Sequence, residues 1–213
     1  MNIVNPQLRE YLDSEILPQY SSYDKGHNMT HITEVATAAL ELAAQRDVNI
    51  DMVYTSAIFH DLGLIEGRDT HHLTSAVMLR DNEFLKGHFT AEQLEIIAEA
   101  IEDHRASAKE PPRSIYGEIL SSADRQIDAE TIIRRSYYYN LKHFENFSLE
   151  QHIARILAHI QEKYAEGGYL KVPILTQKNK QGLQKLRVLA ASKENFTDFC
   201  TTIIQEINMA EKM

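Results

Sequence analysis

Histidine and aspartate side chains recur at the ends of apolar stretches in this 213-residue chain. The stretch AIFHDLG places His60 and Asp61 side by side where an apolar run ends. An aspartate carboxylate has two oxygens and can bridge two ions, whereas an imidazole normally binds one. The pair is therefore either a polar end to a helix or half of a metal site, and in the second case the rest of the chain must supply the other ligands.

Further candidate ligands interrupt apolar faces or lie at helix ends elsewhere in the chain. Each is on a different predicted helix or at its margin, so several helices would have to converge to build one site. Imidazole and carboxylate together suit first-row divalent metals such as manganese, iron or zinc. The candidates are His31, His60, Asp61, His71 or His72, His104 and Asp124.

Helical periodicity dominates the sequence, and the alternation typical of strands is nearly absent. Thr90 and Gln93 have the spacing of a capping box, and the paired prolines of KEPPRS cannot continue a helix. Beyond them a helix from about Ser114 carries Ile127, with Asp124 and Arg125 at its inner surface. Three of the other predicted helices precede this one: one begins near residue 31, one covers Asp51 to Leu62, and one runs from about Thr70 to Phe84. Four more follow it, at roughly 129–144, 148–165, 178–191 and 194–211.

We predict an all-α fold with one domain over residues 1–213. Its core covers about residues 20–130, and residues 131–213 form a flanking helical layer. The stretch GGYLKVPIL is interpreted as a connector. Four histidines outside the candidate set, His88, His143, His152 and His159, are expected at the surface.

Composition excludes several classes of function. A formal charge of -9 argues against an extended nucleic-acid surface, although a small anionic ligand can still bind a local cation cluster. The single cysteine rules out an intrachain disulfide framework and fits a reducing compartment. Neither a membrane span nor a signal core is present in the sequence, so a cytoplasmic location without a membrane partner is expected.

Four blocks of the sequence resemble those of one known family. The order His31, His60-Asp61, Asp124 is similar to the H…HD…D signature of the HD-domain superfamily of metal-dependent phosphohydrolases. HITEV resembles the first-helix motif, AIFHDLG the HD block, and ILSSADRQID the stretch with the final aspartate. The resemblance covers roughly residues 20–130. It implies a compact HD-domain-like helical bundle, here with additional C-terminal helices.

The histidines His71 and His104 extend the resemblance to a subgroup that often holds two metals. His71 lies four residues before the small pair Ser75-Ala76, which selects it over His72. In the two-metal arrangement that the resemblance implies, Asp61 bridges the ions and His71 and His104 complete the second site. With one metal, the four signature residues suffice and both histidines become phosphate contacts.

The resemblance implies an enzyme that cleaves a phosphoester of a nucleotide or other small phosphorylated metabolite by metal-activated water. His60 and Asp61 are then the catalytic residues, with one or two divalent ions per chain (Mn, Fe, Zn, Ni or Mg). Arg105, Arg125 and His72 are expected to contact the substrate. Arg68 and Arg113 lie in loops beside ligand-bearing segments.

Two other classes of function stay open at this point. Some HD proteins are di-iron oxygenases. The other class is a non-catalytic, metal-stabilised binding or regulatory protein, and the complete HD signature argues against it, because a decayed site would be expected to have lost some of these residues. The substrate, the physiological metal and the oligomeric state, including a homo-oligomer, are not determined by the sequence.

Overall fold

The computed structural model describes residues 3–23, 27–105, 108, 110–125 and 127–210. Within these ranges it is helical without a strand, which confirms the predicted all-α class. No helix there combines the length and apolar character needed to cross a bilayer. The helices are α1 (Pro6–Tyr11), α2 (Met29–Ala43), α3 (Ile50–Phe59), α4 (His71–Arg80), α5 (Glu83–His88), α6 (Ala91–Asp103), α7 (Ile115–Asp124), α8 (Ala129–His143), α9 (Leu149–Tyr164), α10 (Gln177–Ala191) and α11 (Lys193–Ala210).

The chain divides into two compact units. The first comprises Met1–Arg125 with Val172–Thr176, and the second comprises Gln126–Lys171 with Gln177–Met213. All of the segment Val172–Thr176 except Thr176 comes from the predicted connector, and the backbone N–H of Ile174 donates to Ser122 Oγ within the first unit (2.9 Å). Whether the two units act as one domain stays a prediction.

Helix α3 lies at the centre of the first unit. Every residue of α3 except Asp51 is buried, as expected for a helix with neighbours on all sides. It packs against α2, α6 and α7, while α4 packs on α6 and α2 on α7. The N-terminal segment also belongs to this core, because Leu8, Leu12 and Tyr20 are fully buried.

The predicted helix ends needed correction at three places. Helix α3 ends at Phe59 rather than Leu62, and a 3₁₀ turn, Leu62–Glu66, follows Asp61. The predicted helix from Thr70 to Phe84 is two helices, because the side chain of Asn82 accepts from Leu85 N–H and starts α5. Helix α7 ends at Asp124, so Ile127 lies beyond it rather than on it.

The second unit contains helices α8 to α11, which pack on one another. Its core includes His152, so the prediction that this histidine is at the surface was wrong. The His152 ring packs against Tyr137 and Phe147, which provide an aromatic environment that the helical pattern did not reveal. Cys200 is buried in this unit, and burial raises the pKa of its thiol to about 12.

Candidate metal centre

Six candidate ligands from five helices converge in the first unit. They form two trios, and within each trio the ligand atoms lie within 4.8 Å of one another. The residues of one trio lie on α2, at the end of α3 and at the end of α7. The residues of the other trio lie just after the C-cap of α3, at the start of α4 and at the end of α6. The trios are His31, His60 and Asp124, and Asp61, His71 and His104.

The carboxylate of Asp61, a member of the second trio, turns one oxygen towards the histidines of each trio. Its Oδ2 is 3.3 Å from His60 Nε2 and 3.9 Å from His31 Nε2. Its Oδ1 is 3.3 Å from His71 Nε2 and 3.5 Å from His104 Nε2. This is the placement expected of a carboxylate that bridges two ions.

The remaining distances bring nitrogen and oxygen donors close together. In the first trio, Asp124 Oδ1 is 3.3 Å from His31 Nε2 and 3.7 Å from His60 Nε2. In the second trio, the Nε2 atoms of His71 and His104 are 3.2 Å apart. Two neutral imidazoles whose lone pairs face each other at that distance repel, unless a cation lies between them.

The ring orientation of three histidines is fixed through their other nitrogen. The Nδ1 atoms of His60 and His71 lie 2.7 Å from the carbonyl oxygens of Ala57 and Arg68. His104 Nδ1 lies 2.6 Å from the carbonyl oxygen of Ile101. A carbonyl oxygen only accepts, so each Nδ1 donates its hydrogen, and Nε2 of each ring faces the cluster.

His60 supplies a second sign of a missing partner. Its Nε2 is buried and, among the described residues, has no hydrogen-bond partner. Buried polar atoms in folded proteins are rarely left unsatisfied, so such an atom calls for an explanation. Together with the imidazole and carboxylate donors around it, this nitrogen fits a divalent metal ion.

Helix ends explain why these histidines are held in place. The last four carbonyls of a helix have no partner within the helix. His60 and His104 are the C-cap residues of α3 and α6, and each ring bonds to one of these carbonyls. The Tyr20 hydroxyl donates to another, the carbonyl oxygen of Ile58, at 2.7 Å.

The two tyrosines beside the His60-Asp61 pair were not identified from the sequence. The Tyr23 hydroxyl donates to the carbonyl oxygen of Leu62 at 2.6 Å, so Tyr20 and Tyr23 hold the backbone on both sides of the pair. The signal in the sequence is their spacing of three residues, which would place both on one face if the segment were helical throughout. That signal alone does not indicate contacts with residues 38 and 39 positions further along the chain.

Gly63 allows α4 to approach the cluster. Its backbone N–H donates to Ser75 Oγ at 2.8 Å. A Cβ atom at Gly63 would collide with the carbonyl oxygen of His71 and would lie 2.6 Å from Ser75 N. The glycine of the HD block is therefore needed for close packing that brings His71 to Asp61.

Charges within the cluster shift the pKa of several members. Burial lowers the pKa of His60, but Asp61 and Asp124 outweigh that effect and raise it to about 9. Burial opposes ionisation of Asp61, yet His60 and His104 hold its pKa well below the usual range. Burial also raises the pKa of Asp124, but a hydrogen bond with His31 and the charge of His60 outweigh it and lower this pKa to about 2. Both carboxylates are therefore ionised at neutral pH, and their negative charge attracts a cation to the cluster.

The three predicted substrate contacts lie beside the trios rather than in them. Arg105 is half-buried and donates through Nη1 to the carbonyl oxygen of Asp69 at 2.6 Å. Arg125 donates through Nη1 to the carbonyl oxygen of Ser121, and burial lowers its pKa.

The third predicted contact, His72, is held next to the cluster by its neighbour. Its ring centroid is 5.6 Å from that of His71. Its Nδ1 is buried without a hydrogen-bond partner among the residues that the structure describes. Burial, with the nearby Arg105, lowers the pKa of His72 to about 4, so this ring is neutral at pH 7.

Arg113, another arginine singled out in the sequence, is committed to carboxylates. Its guanidinium pairs with Glu99, Glu102 and Asp103 at 3.3, 2.6 and 2.9 Å. These contacts join α6 to the segment before α7, which gives Arg113 a structural role.

Comparison with known families agrees with this geometry. Residues 28–127, slightly less than half of the chain, match the family model of the HD domain, as the sequence blocks predicted. All six residues of the two trios lie inside the matched range. No curated protein and no solved structure matches the chain.

Proposed function

We propose that the HD domain is a metal-dependent phosphohydrolase that cleaves a phosphoester of a nucleotide or other small phosphorylated metabolite. The observation that supports it most directly is the position of Asp61, whose two oxygens face two different ligand trios. Two adjacent divalent ions are a common arrangement in enzymes that displace groups at phosphorus.

The protein residues have separate roles in this proposal. His31, His60 and Asp124 would hold one ion, and Asp61, His71 and His104 would hold the other, with the second oxygen of Asp61 facing the first trio. When bound, the ions supply a nucleophilic water and neutralise charge on the phosphoryl oxygens. The carbonyl bonds of His60, His71 and His104 keep the ligand nitrogens aimed at the cluster.

Cationic and neutral donors beside the trios are proposed to bind the substrate. The bond from Arg105 to Asp69 uses one of the five N–H donors of a guanidinium, which leaves others for a phosphate. Arg125 follows the ligand Asp124 directly, and neutral His72 offers a further donor beside His71. The two arginines would provide local positive charge for an anionic substrate, although the chain as a whole is negative.

The test measures phosphate release from p-nitrophenyl phosphate and a panel of nucleoside monophosphates, with each of Mn²⁺, Fe²⁺, Zn²⁺, Ni²⁺ and Mg²⁺. We expect at least one metal to support hydrolysis and Asp61→Asn to lower kcat by about 100-fold or more. Asp47→Asn, which alters an exposed carboxylate outside the cluster, should behave like the wild type.

Oxygen consumption recorded in the same reactions distinguishes the alternatives. Oxygen uptake with iron and no phosphate release would favour the di-iron oxygenase. Metal binding without either reaction would favour a binding or regulatory protein. Either result would overturn the phosphohydrolase proposal.

A further inference from the structure

A cleft with a volume of about 280 Å³ lies beside the metal-ligand cluster within the first unit. Its lining residues come from the N-terminal segment and from the turn between Asp61 and α4. They are Ser22, Tyr23, His27, Leu64, Ile65 and Arg68. None of the six belongs to either trio.

Contacts on both sides connect this cleft with the cluster. On one side, the Tyr23 hydroxyl bonds to the carbonyl of Leu62, the residue after Asp61. On the other side, the carbonyl of Arg68 accepts from His71 Nδ1. The ring centroids of His27 and His31 lie 6.0 Å apart. These contacts place the cleft next to the cluster.

The lining combines apolar surface with one available cation. Ile65 is 72% exposed and offers aliphatic surface to a molecule in the cleft. Tyr23 and Leu64 add further apolar surface. The Arg68 side chain makes no ion pair or hydrogen bond with any residue that the structure describes, unlike Arg105 and Arg113, which are engaged.

We propose that this cleft binds the leaving group of the substrate, and that the leaving group has a flat, apolar face. A ring of the leaving group packs against Tyr23 and Ile65, and the Arg68 guanidinium binds the phosphate group of the same substrate. The proposal rests on the phosphohydrolase function and specifies its substrate class. The volume lies just below the roughly 300–1,000 Å³ of ordinary ligand pockets, which favours a single ring system over a dinucleotide.

Two phosphonates that differ by a phenyl ring test this assignment. Benzylphosphonate and methylphosphonate keep a C–P bond that a phosphohydrolase does not cleave, so their dissociation constants can be measured by calorimetry on the manganese-loaded protein. We expect the wild type to bind benzylphosphonate about tenfold more tightly, because the ring buries apolar surface in the cleft. Ile65→Ala should reduce that preference to about threefold or less.

Matched variants separate the cleft from general effects. Val77→Ala shortens another exposed aliphatic residue, outside the cleft, and should leave the tenfold preference unchanged. Arg68→Gln should weaken both phosphonates by a similar factor, and Arg68→Lys should restore part of the affinity. Ile65 and Arg68 are exposed, so all three variants at these positions should fold, which circular dichroism checks.

The outcomes of this test are independent of hydrolysis. Equal affinities for the two phosphonates in the wild type, or an unchanged preference in Ile65→Ala, would overturn the cleft assignment. If the ring preference is present but no phosphoester is hydrolysed, the cleft assignment holds and the proposed function fails. If a phosphoester is hydrolysed but the wild type shows no ring preference, the proposed function is supported and the cleft assignment is wrong.

Discussion

The two ring nitrogens of His60 show how a single residue links the backbone to the site. Nδ1 bonds to the carbonyl of Ala57 at a helix end, while Nε2 faces Asp61 and Asp124. A histidine can bind a metal only when the coordinating nitrogen has lost its proton. Metal binding and protonation of His60 therefore compete for the same atom.

This competition predicts that metal binding releases a proton at neutral pH. In the metal-free protein the carboxylates raise the pKa of His60 from 6.5 to about 9, so its ring is charged at pH 7. Its contribution to stability is full below pH 6.5 and is lost as the pH rises through 9. Apparent metal affinity should accordingly rise with pH up to about 9. Calorimetry in two buffers with different ionisation enthalpies measures the number of protons released on metal binding. If no proton is released at pH 7, His60 is not charged in the metal-free protein.

Tyr20 allows a test of the carbonyl network. Tyr20→Phe removes the donor to the carbonyl oxygen of Ile58 in a fully buried environment. We expect the free energy of unfolding to fall by about 1–3 kcal/mol, since that oxygen loses its partner. Urea denaturation measures the change. Tyr138→Phe at an exposed position is the control and should change stability by less than about 0.5 kcal/mol.

At the scale of the elements, the approach of α4 to the 3₁₀ turn determines where His71 lies. Gly63→Ala places a methyl group against the carbonyl of His71 and the backbone nitrogen of Ser75. Because backbone atoms cannot move aside easily, we expect a loss of about 1–3 kcal/mol in stability and a reduced metal content. Thermal unfolding and elemental analysis measure the two effects.

Gly87→Ala is the matched control for this prediction. A Cβ atom at Gly87 meets nothing within 4 Å, and the residue lies in helix α5. Alanine is the better helix former, so stability should be unchanged or raised by up to about 1 kcal/mol. Equal behaviour of the two alanine variants would contradict the close-packing role of Gly63.

The sequence predicted the helices and the convergence of the ligands well, and the helix ends less well. Periodicity identifies the apolar faces of α2, α6 and α7, and the capping box of Thr90 and Gln93 is present as predicted. The end of α3 was misplaced because Leu62 continues the apolar run after His60 and Asp61. The bonds of Tyr20 and Tyr23 could not be predicted, since they join residues far apart in sequence.

At the scale of the whole molecule, a chain with a formal charge of -9 is proposed to bind anionic substrates. Bound divalent ions and local arginines supply the positive charge that the overall composition lacks. Metal binding should also stabilise the folded state, by roughly 2.7 kcal/mol when the free ion is at 100 times its dissociation constant. Manganese should raise the melting temperature of the wild type but not that of Asp61→Ala, as scanning fluorimetry would show. Equal shifts in both proteins would mean that the ion binds elsewhere.

The most direct test of the binuclear centre is the number of metal ions per chain. Protein purified without a metal-affinity tag and reloaded with Mn²⁺ or Fe²⁺ is measured by elemental analysis, together with Asp61→Ala and the control Asp47→Ala. The two trios joined by Asp61 predict close to two ions per chain in the wild type and the control, and a clear loss in Asp61→Ala. No bound metal in the wild type after reloading, or the same content in Asp61→Ala, would contradict the binuclear centre.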